Sequence, residues 1–185
     1  MKTPASPNVY REPPWTKVYF AHVIGTAFLG ALLPAGEQLK GIHSVTQPFL
    51  QWFPGAVSIS SLAPDPIFAQ AFLALSMLVA LCMVIGTVWH VSRGGYHTKT
   101  FESQSKRLVG ILLLWGGSVL VIAALWSISY SVEGAQTPGY FFIKAAISSE
   151  VGVLTAMNQI IVGIPLFLTL FSTIVPFCTK ANTKV

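Results

Sequence analysis

Long runs without a formal charge are the feature that most constrains the fold of this chain. The three longest are Ile67 to Val91, Leu108 to Val132 and Val151 to Phe177. Each exceeds the roughly 20 residues that a helix needs to cross a hydrocarbon core of about 30 Å. Val18 to Ala35 is a fourth run, at the short end of the range for a spanning helix. The runs predict an all-α integral membrane protein with four transmembrane helices, over about 18–35, 67–91, 108–132 and 151–177.

The charges between the runs predict that both termini are cytoplasmic. If all four runs span, the two termini and the loop after the second span share one side, with nine basic and two acidic residues. The outer loops, 36–66 and 133–150, then carry two basic and four acidic residues. An excess of Lys and Arg on one side is typical of the cytoplasmic face. We therefore predict a multi-pass protein of a bacterial-type inner (plasma) membrane, with residues 1–185 forming a single transmembrane domain.

The composition argues against several functional classes. Only 9% of the residues are charged, against about 25% in ordinary globular proteins. The net charge of +5 is explained by topology and by anionic lipid headgroups, so no nucleic-acid partner is expected. No Asp, Glu, Lys or Arg lies within the four runs, although proton pumps and acid/base enzymes of the membrane use such groups. We expect a non-enzyme whose partners are the lipid bilayer and other membrane subunits or copies of itself.

Two adjacent amides in the last run are the most informative polar residues. They stand in "TAMNQIIVGIPLF", where Pro165 cannot donate to the carbonyl of Ile161. We expect the helix to bend there and a neighbouring helix to satisfy that carbonyl. The candidate helix-packing or pore-lining residues of this helix are Thr155, Asn158, Gln159, Pro165, Thr169 and Thr173. Two interpretations stay open: hydrogen-bonding contacts between helices, or the lining of an aqueous path formed by several copies.

Two histidines near the predicted cytoplasmic face raise the alternative of a haem b. His22 lies in the first run and His90 at the end of the second. Antiparallel helices would place them at similar depth, and haem iron accepts axial histidines. Interfacial histidines are more often amphipathic boundary residues, so the main expectation is that there is no cofactor. The spacing of His and carboxylate residues predicts no metal site either.

Small and aromatic residues mark further candidate contacts. Small residues recur at four-residue spacing in the first run, which lets helix backbones approach closely in lipid: Ala21, Gly25, Ala27 and Ala31. Large aromatic residues occupy the outer loops: Phe49, Trp52, Phe53, Tyr140, Phe141 and Phe142. We expect these aromatic residues to anchor at the outer membrane interface, with contact to a partner protein as the alternative.

One function is favoured and two alternatives remain. The leading hypothesis is a non-enzymatic integral membrane subunit, serving as a scaffold or assembly component of a larger inner-membrane complex of the secretion, transfer or defence type. Its helix faces with small residues and amides, and its apolar outer segments, suit protein partners. The first alternative is a homo-oligomeric pore lined by the last helix. The second is a small b-type haem protein that uses His22 and His90.

Overall fold

The computed structural model describes residues 15–34, 36–93, 100–101, 104–127, 157–178 and 180–181. These ranges are all-α, apart from turns and one two-residue pairing of strands. The elements in chain order are α1 (Trp15–Leu32), a 3₁₀ turn (Gly36–Leu39), α2 (Lys40–Leu50), α3 (Pro54–Ser60), α4 (Pro66–Arg93), β1 (Thr100–Phe101), α5 (Gln104–Ser127), a π-helical turn (Gln159–Gly163), α6 (Ile164–Cys178) and β2 (Lys180–Ala181).

Among the described residues, three helices are long and apolar enough to cross a membrane: Pro66–Arg93, Gln104–Ser127 and Gln159–Pro176. They coincide with the three longest charge-free runs, which confirms an apolar, all-helical architecture for that part of the prediction. The number rises to four if Thr16–Leu32 and Gly36–Leu50, bent by 105° at the break between them, count as one span.

The first helix is shifted relative to the predicted span 18–35. α1 begins at Trp15 and ends at Leu32, and its 18 residues measure about 27 Å at 1.5 Å per residue. Its end is explained by Pro34, because the residue that precedes a proline is disfavoured in helical conformation.

The start of α4 is fixed by an aspartate and a proline. Asp65 caps the helix, since its Oδ1 accepts a hydrogen bond from the backbone N–H of Phe68 at 3.0 Å. Pro66 suits the first helical position, where no N–H is needed. The other carboxylate oxygen of Asp65 accepts from the N–H of Gly36 at 3.0 Å. A Cβ at Gly36 would collide with this carboxylate, so glycine allows the 3₁₀ turn to join α4.

The segment 36–63, predicted as part of an outer loop, is folded against the bundle. Leu39, Leu50, Ala56 and Ile59 are almost completely buried. α2 and α3 both contact α4, so these side chains extend the core beyond the long helices. The segment is therefore packed over the long helices.

α3 and α5 approach each other very closely. A Cβ on Gly55 would collide with the backbone carbonyl oxygen of Leu125. Next to this contact, Phe53 packs edge-on against Trp126 with the ring centroids 4.6 Å apart. The glycine and the aromatic pair together hold the 36–63 segment against the end of α5.

α4 is the central helix and contacts α1, α2, α3 and α6. α6 lies between α4 and α5, and it buries Leu166, Leu170 and Ile174. The four-residue spacing of these side chains places them on one helix face. The π-helical turn and α6 are continuous, and we call them, with Met157 and Asn158 before them, the last helix. This arrangement brings α1, α4 and the start of the last helix together, which positions the site described next.

The Arg93 end of the bundle is joined by backbone and side-chain contacts. β1 pairs in parallel with β2, with Thr100 opposite Lys180. Arg107 Nη2 donates to the carbonyl oxygen of Pro176 at 3.0 Å, which suits a cation near a helix C-terminus. The guanidinium of Arg93 lies 3.8 Å from the ring centroid of Trp89. β1, which follows α4 in the chain, therefore lies beside β2, which follows α6.

Candidate functional site

Four buried residues from three helices form a ring of hydrogen bonds that closes through the backbone of His22, and we call it the polar ring: His22, Thr26, Ser76 and Asn158. Asn158 Nδ2 donates to Thr26 Oγ1 at 2.9 Å, and the Ser76 hydroxyl donates to Asn158 Oδ1. Thr26 Oγ1 donates in turn to the backbone carbonyl of His22 at 2.8 Å. Ser76 Oγ and His22 Nε2 lie 3.4 Å apart. All four residues are at most 2% exposed, so the ring is enclosed by protein.

The donor count determines the tautomer of His22. A serine hydroxyl has one proton, and Ser76 gives that proton to Asn158. Ser76 can therefore only accept from His22, which places the imidazole proton on Nε2. The hydrogen bonds then run in one direction, from His22 through Ser76, Asn158 and Thr26 back to the His22 carbonyl.

This tautomer leaves one acceptor unused. Nδ1 of His22 is buried and has no hydrogen-bond partner among the described residues. A buried polar atom without a partner typically costs about 1–3 kcal/mol. Within the ring, His22 Nδ1 is the one buried side-chain atom left without any hydrogen-bond partner among the described residues.

The second amide of the last helix bonds to α1 as well. Tyr19 Oη donates to Gln159 Oε1 at 2.8 Å. Gly163 makes room for this side chain, because a Cβ there would collide with Gln159 Oε1. The ring of Tyr19 also packs edge-on against Phe167, with centroids 6.0 Å apart. Both amides singled out in the sequence therefore contact neighbouring helices of the same chain.

The carbonyl left without its usual donor by Pro165 has the neighbouring partner that the sequence predicts. Trp126 Nε1 of α5 donates to the carbonyl oxygen of Ile161 at 2.9 Å. The helix widens into the π-helical turn Gln159–Gly163 directly before Pro165, and Ile164 N–H reaches back to the carbonyl of Gln159. Such turns occur as local insertions in α-helices and are frequent at functional sites.

The remaining polar positions of the last helix have separate environments. Pro165 and Thr169 line a groove of about 320 Å³ between α4, the end of α5 and the last helix. Thr173 is half-buried, and its hydroxyl donates to the backbone carbonyl of Thr169. Thr155 lies outside the described residues. The predicted residues of the last helix that are described thus have four different environments: the polar ring, the bond to Tyr19, the apolar groove and the backbone of the helix itself.

His22 and His90 are not brought together. His22 contacts Ser76 of α4, and Ser76 lies about four helical turns before His90 on that continuous helix. At about 1.5 Å per residue, the two histidines are separated by about 21 Å along the axis. Two axial ligands of one iron must lie on either side of it, each at bonding distance, so this pair does not fit a shared haem.

The other predicted contact residues lie on outward surfaces or outside the described ranges. The small residues Ala21, Gly25, Ala27 and Ala31 are exposed on α1. A Cβ on Gly25 would meet nothing within 4 Å. Trp52 is 82% exposed and Phe49 41% exposed, whereas Phe53 is half-buried against Trp126. Tyr140, Phe141 and Phe142 lie outside the described residues.

α5 presents the most open apolar surface of the three long helices. Only 6% of its most apolar 18-residue stretch is buried, against 44% of the corresponding stretch in each of the other two candidate spans. Leu112, Leu113 and Leu120 are each at least 67% exposed. Beside them, a Cβ on Gly116 or Gly117 would meet nothing within 4 Å.

Other ionisable groups add no reaction centre among the residues that the structure describes. No group of three His, Cys, Asp or Glu side chains in these ranges is placed to hold a metal ion. Cys82 is exposed on α4, and Cys178 is buried at the end of α6. Burial raises the pKa of the Cys178 thiol, which makes it a weaker nucleophile near neutral pH.

Sequence reasoning missed Thr26, Ser76, Tyr19 and Trp126 as members of the site. Thr26 lies four residues after His22, so the two share a helix face, and that spacing was the available signal. Ser76 is a single hydroxyl in the apolar stretch "FLALSMLVAL". Comparison with known proteins finds no matching family model, no similar curated protein and no similar solved structure.

Proposed function

We propose that the chain is a non-enzymatic membrane subunit that serves as a scaffold or assembly component of a larger complex in a bacterial-type inner membrane. The observation that carries this proposal is the surface of α5. This helix is long enough to span a membrane, and nearly all of its most apolar 18-residue stretch faces outward. Between its bulky side chains, the two adjacent glycines Gly116 and Gly117 leave open space. In lipid, small residues let a second helix approach closely.

The hydrogen bonds of the last helix support a scaffold rather than a conduit. Asn158 is enclosed in the polar ring, and Gln159 bonds to Tyr19. These amides hold the chain's own helices together, so they are not available to line water. Of the three candidate spans among the described residues, α5 then offers the most open apolar surface to a partner.

A four-span topology with both termini on the cytoplasmic side fits the contacts at the Arg93 end of α4. β1 follows α4, β2 follows α6, and the two strands pair, as expected if the segment after α4 and the C-terminal tail lie on one side of the membrane. That side would be the one with the excess of Lys and Arg.

The pore alternative has less support. Of the predicted lining residues within the described ranges, only Thr169 and Thr173 combine a side-chain hydroxyl with partial exposure. A path would have to form between copies along these two threonines. Recovery of a homo-oligomer without other chains would favour it.

The first test is the composition of the native particle. We would tag the C-terminus, extract the protein in native nanodiscs and determine the mass and identity of the chains that accompany it. We expect different chains in a fixed ratio. A fully functional, monodisperse monomer would refute the proposal.

Matched glycine variants locate the contact. Gly117→Leu adds bulk to the open surface of α5, and Gly86→Leu adds the same bulk to an open position of α4. Because neither new Cβ meets the chain's own atoms, both variants should fold. We expect partners to be lost from Gly117→Leu and retained by Gly86→Leu. Equal retention by both would exclude α5 as the contact.

A further inference from the structure

The groove between α4, the end of α5 and the last helix is almost entirely apolar. Its walls are formed by side chains from all three elements and from the 36–63 segment. They include Met77, Leu81, Val84, Trp126, Pro165 and Thr169. The volume, about 320 Å³, lies at the lower end of the range of about 300–1,000 Å³ that is usual for ligand sites.

The position of the groove determines which medium faces it. The α4 residues that line it fall within 77–84, in the middle third of a helix that extends from Pro66 to Arg93. Leu78 and Leu81 are 46% and 55% exposed at its margin. If α4 spans the membrane, as the proposed function requires, the groove opens sideways into hydrocarbon.

The lining offers little that would hold water. The one donor of Trp126 is already used, because it bonds to the carbonyl oxygen of Ile161. Thr169 supplies the one hydroxyl of the lining. A buried water needs two to four polar partners, and engineered apolar cavities of about 150 Å³ stay dry and bind apolar molecules instead.

We propose that this groove is a binding site for one acyl chain of a bilayer phospholipid. Because an acyl chain already faces the opening, it does not leave water on binding. It gains close contact with walls that would otherwise lack neighbouring atoms. The chain would lie against Leu81 and Val84 on one side and Trp126 and Pro165 on the other.

Trp126 provides an intrinsic probe of the occupant. In the test, Phe replaces the other four tryptophans, which are Trp15, Trp52, Trp89 and Trp115. The protein is then reconstituted in vesicles of phosphatidylcholine with brominated acyl chains, which quench tryptophan fluorescence on contact. A second protein keeps Trp115 alone, which is 58% exposed on α5. We expect quenching of Trp126 to rise linearly with the brominated fraction, because a single chain fills the groove. Quenching of Trp115 should rise more steeply, because several chains touch it.

Filling the groove should displace the chain. In the Trp126-only protein, Leu81→Phe adds a ring to the lining and should lower the quenching by about twofold or more, because close-packed space is not shared. Val84→Leu should give a smaller decrease. Ile85→Phe adds the same ring at a site 61% exposed that does not line the groove, and it should leave the quenching unchanged.

Three results would overturn the inference. If Trp115 is quenched but Trp126 is not, protein covers the groove, either from this chain or from a partner. If both filling variants leave the quenching of Trp126 unchanged, the contact arises elsewhere. If neither tryptophan is quenched, the chain is not inserted, and the proposed function fails as well.

Discussion

Asn158→Leu replaces the amide that links three helices with an apolar side chain of the same branching and the same number of heavy atoms. The change deletes the hydrogen bond to Thr26 and the one from Ser76. Hydrogen bonds between side chains in membrane proteins average about 0.6 kcal/mol and reach about 1.7 kcal/mol. Two such bonds therefore contribute about 1–3 kcal/mol to the free energy of unfolding.

Part of the lost stabilisation is recovered because Ser76 can form a different hydrogen bond. Elsewhere in this chain the hydroxyl of Ser60 donates to the carbonyl four residues earlier, at 2.7 Å. Ser76 can turn to its own helix in the same way, so its proton need not stay unpaired. Thr26 keeps its bond to the His22 carbonyl. We therefore expect Asn158→Leu to lower the free energy of unfolding by about 1–2 kcal/mol, where about 1.4 kcal/mol is a tenfold change in the unfolding equilibrium.

The assay is reversible unfolding in mixed micelles of mild detergent and dodecyl sulfate, followed by helical circular dichroism. A double-mutant cycle with Thr26→Val isolates the bond between the two side chains. We expect a coupling free energy of about 0.5–1.5 kcal/mol. Leu112→Ala, at a site 67% exposed, is the control and should change stability by less than about 0.5 kcal/mol. A coupling of zero, or an Asn158→Leu variant as stable as the parent, would show that the polar ring does not join the helices.

Two further substitutions test the packing around the site. Gly55→Ala should destabilise the fold by about 1–3 kcal/mol in the same assay, because its methyl group collides with a backbone carbonyl of α5. The control is Gly41→Ala, at an open position of α2, which should be neutral or slightly stabilising. Similar values for the two variants would contradict the close approach of α3 and α5. Trp126→Phe should cost about 1–2 kcal/mol, because the carbonyl of Ile161 loses its indole donor. This cost should shrink in a Pro165→Ala background, where a backbone N–H returns, and an unchanged cost there would exclude the explanation.

The long helices could be predicted from the sequence because the constraint on them is physical and local. A charge-free run that exceeds the length of a membrane span has few alternatives to a spanning or buried helix, and each of the three longest runs became one. The acceptor at Ile161 was predictable for the same reason, since any proline removes a specific donor from a helix. The identity of the donor depended on where the end of α5 packs, which no local pattern specifies.

The partners of Asn158 were not predictable from spacing. Ser and Thr within a helix can bond their own backbone, as Thr87 does with Met83, so a hydroxyl in an apolar run does not announce a contact between helices. The depth of His22 was misjudged for a related reason. The sequence suggested that it lies level with His90, whereas the polar ring aligns it with Ser76, about 21 Å away along α4.

The attachment of α1 depends on the polar ring more than that of α4, α5 or α6 does. His22 and Thr26 are the two fully buried residues of α1 with described side chains, and both belong to the ring. The outer surface of α1 instead carries Phe20, Ile24 and Phe28, each at least 56% exposed. Lipid tails are as apolar as these side chains, so burial of hydrocarbon does little to hold one helix on another in a membrane, whereas directional hydrogen bonds fix its register. Loss of the Asn158 amide should therefore release α1 before it disturbs α4, α5 and α6, whose contacts rest on interlocked apolar side chains.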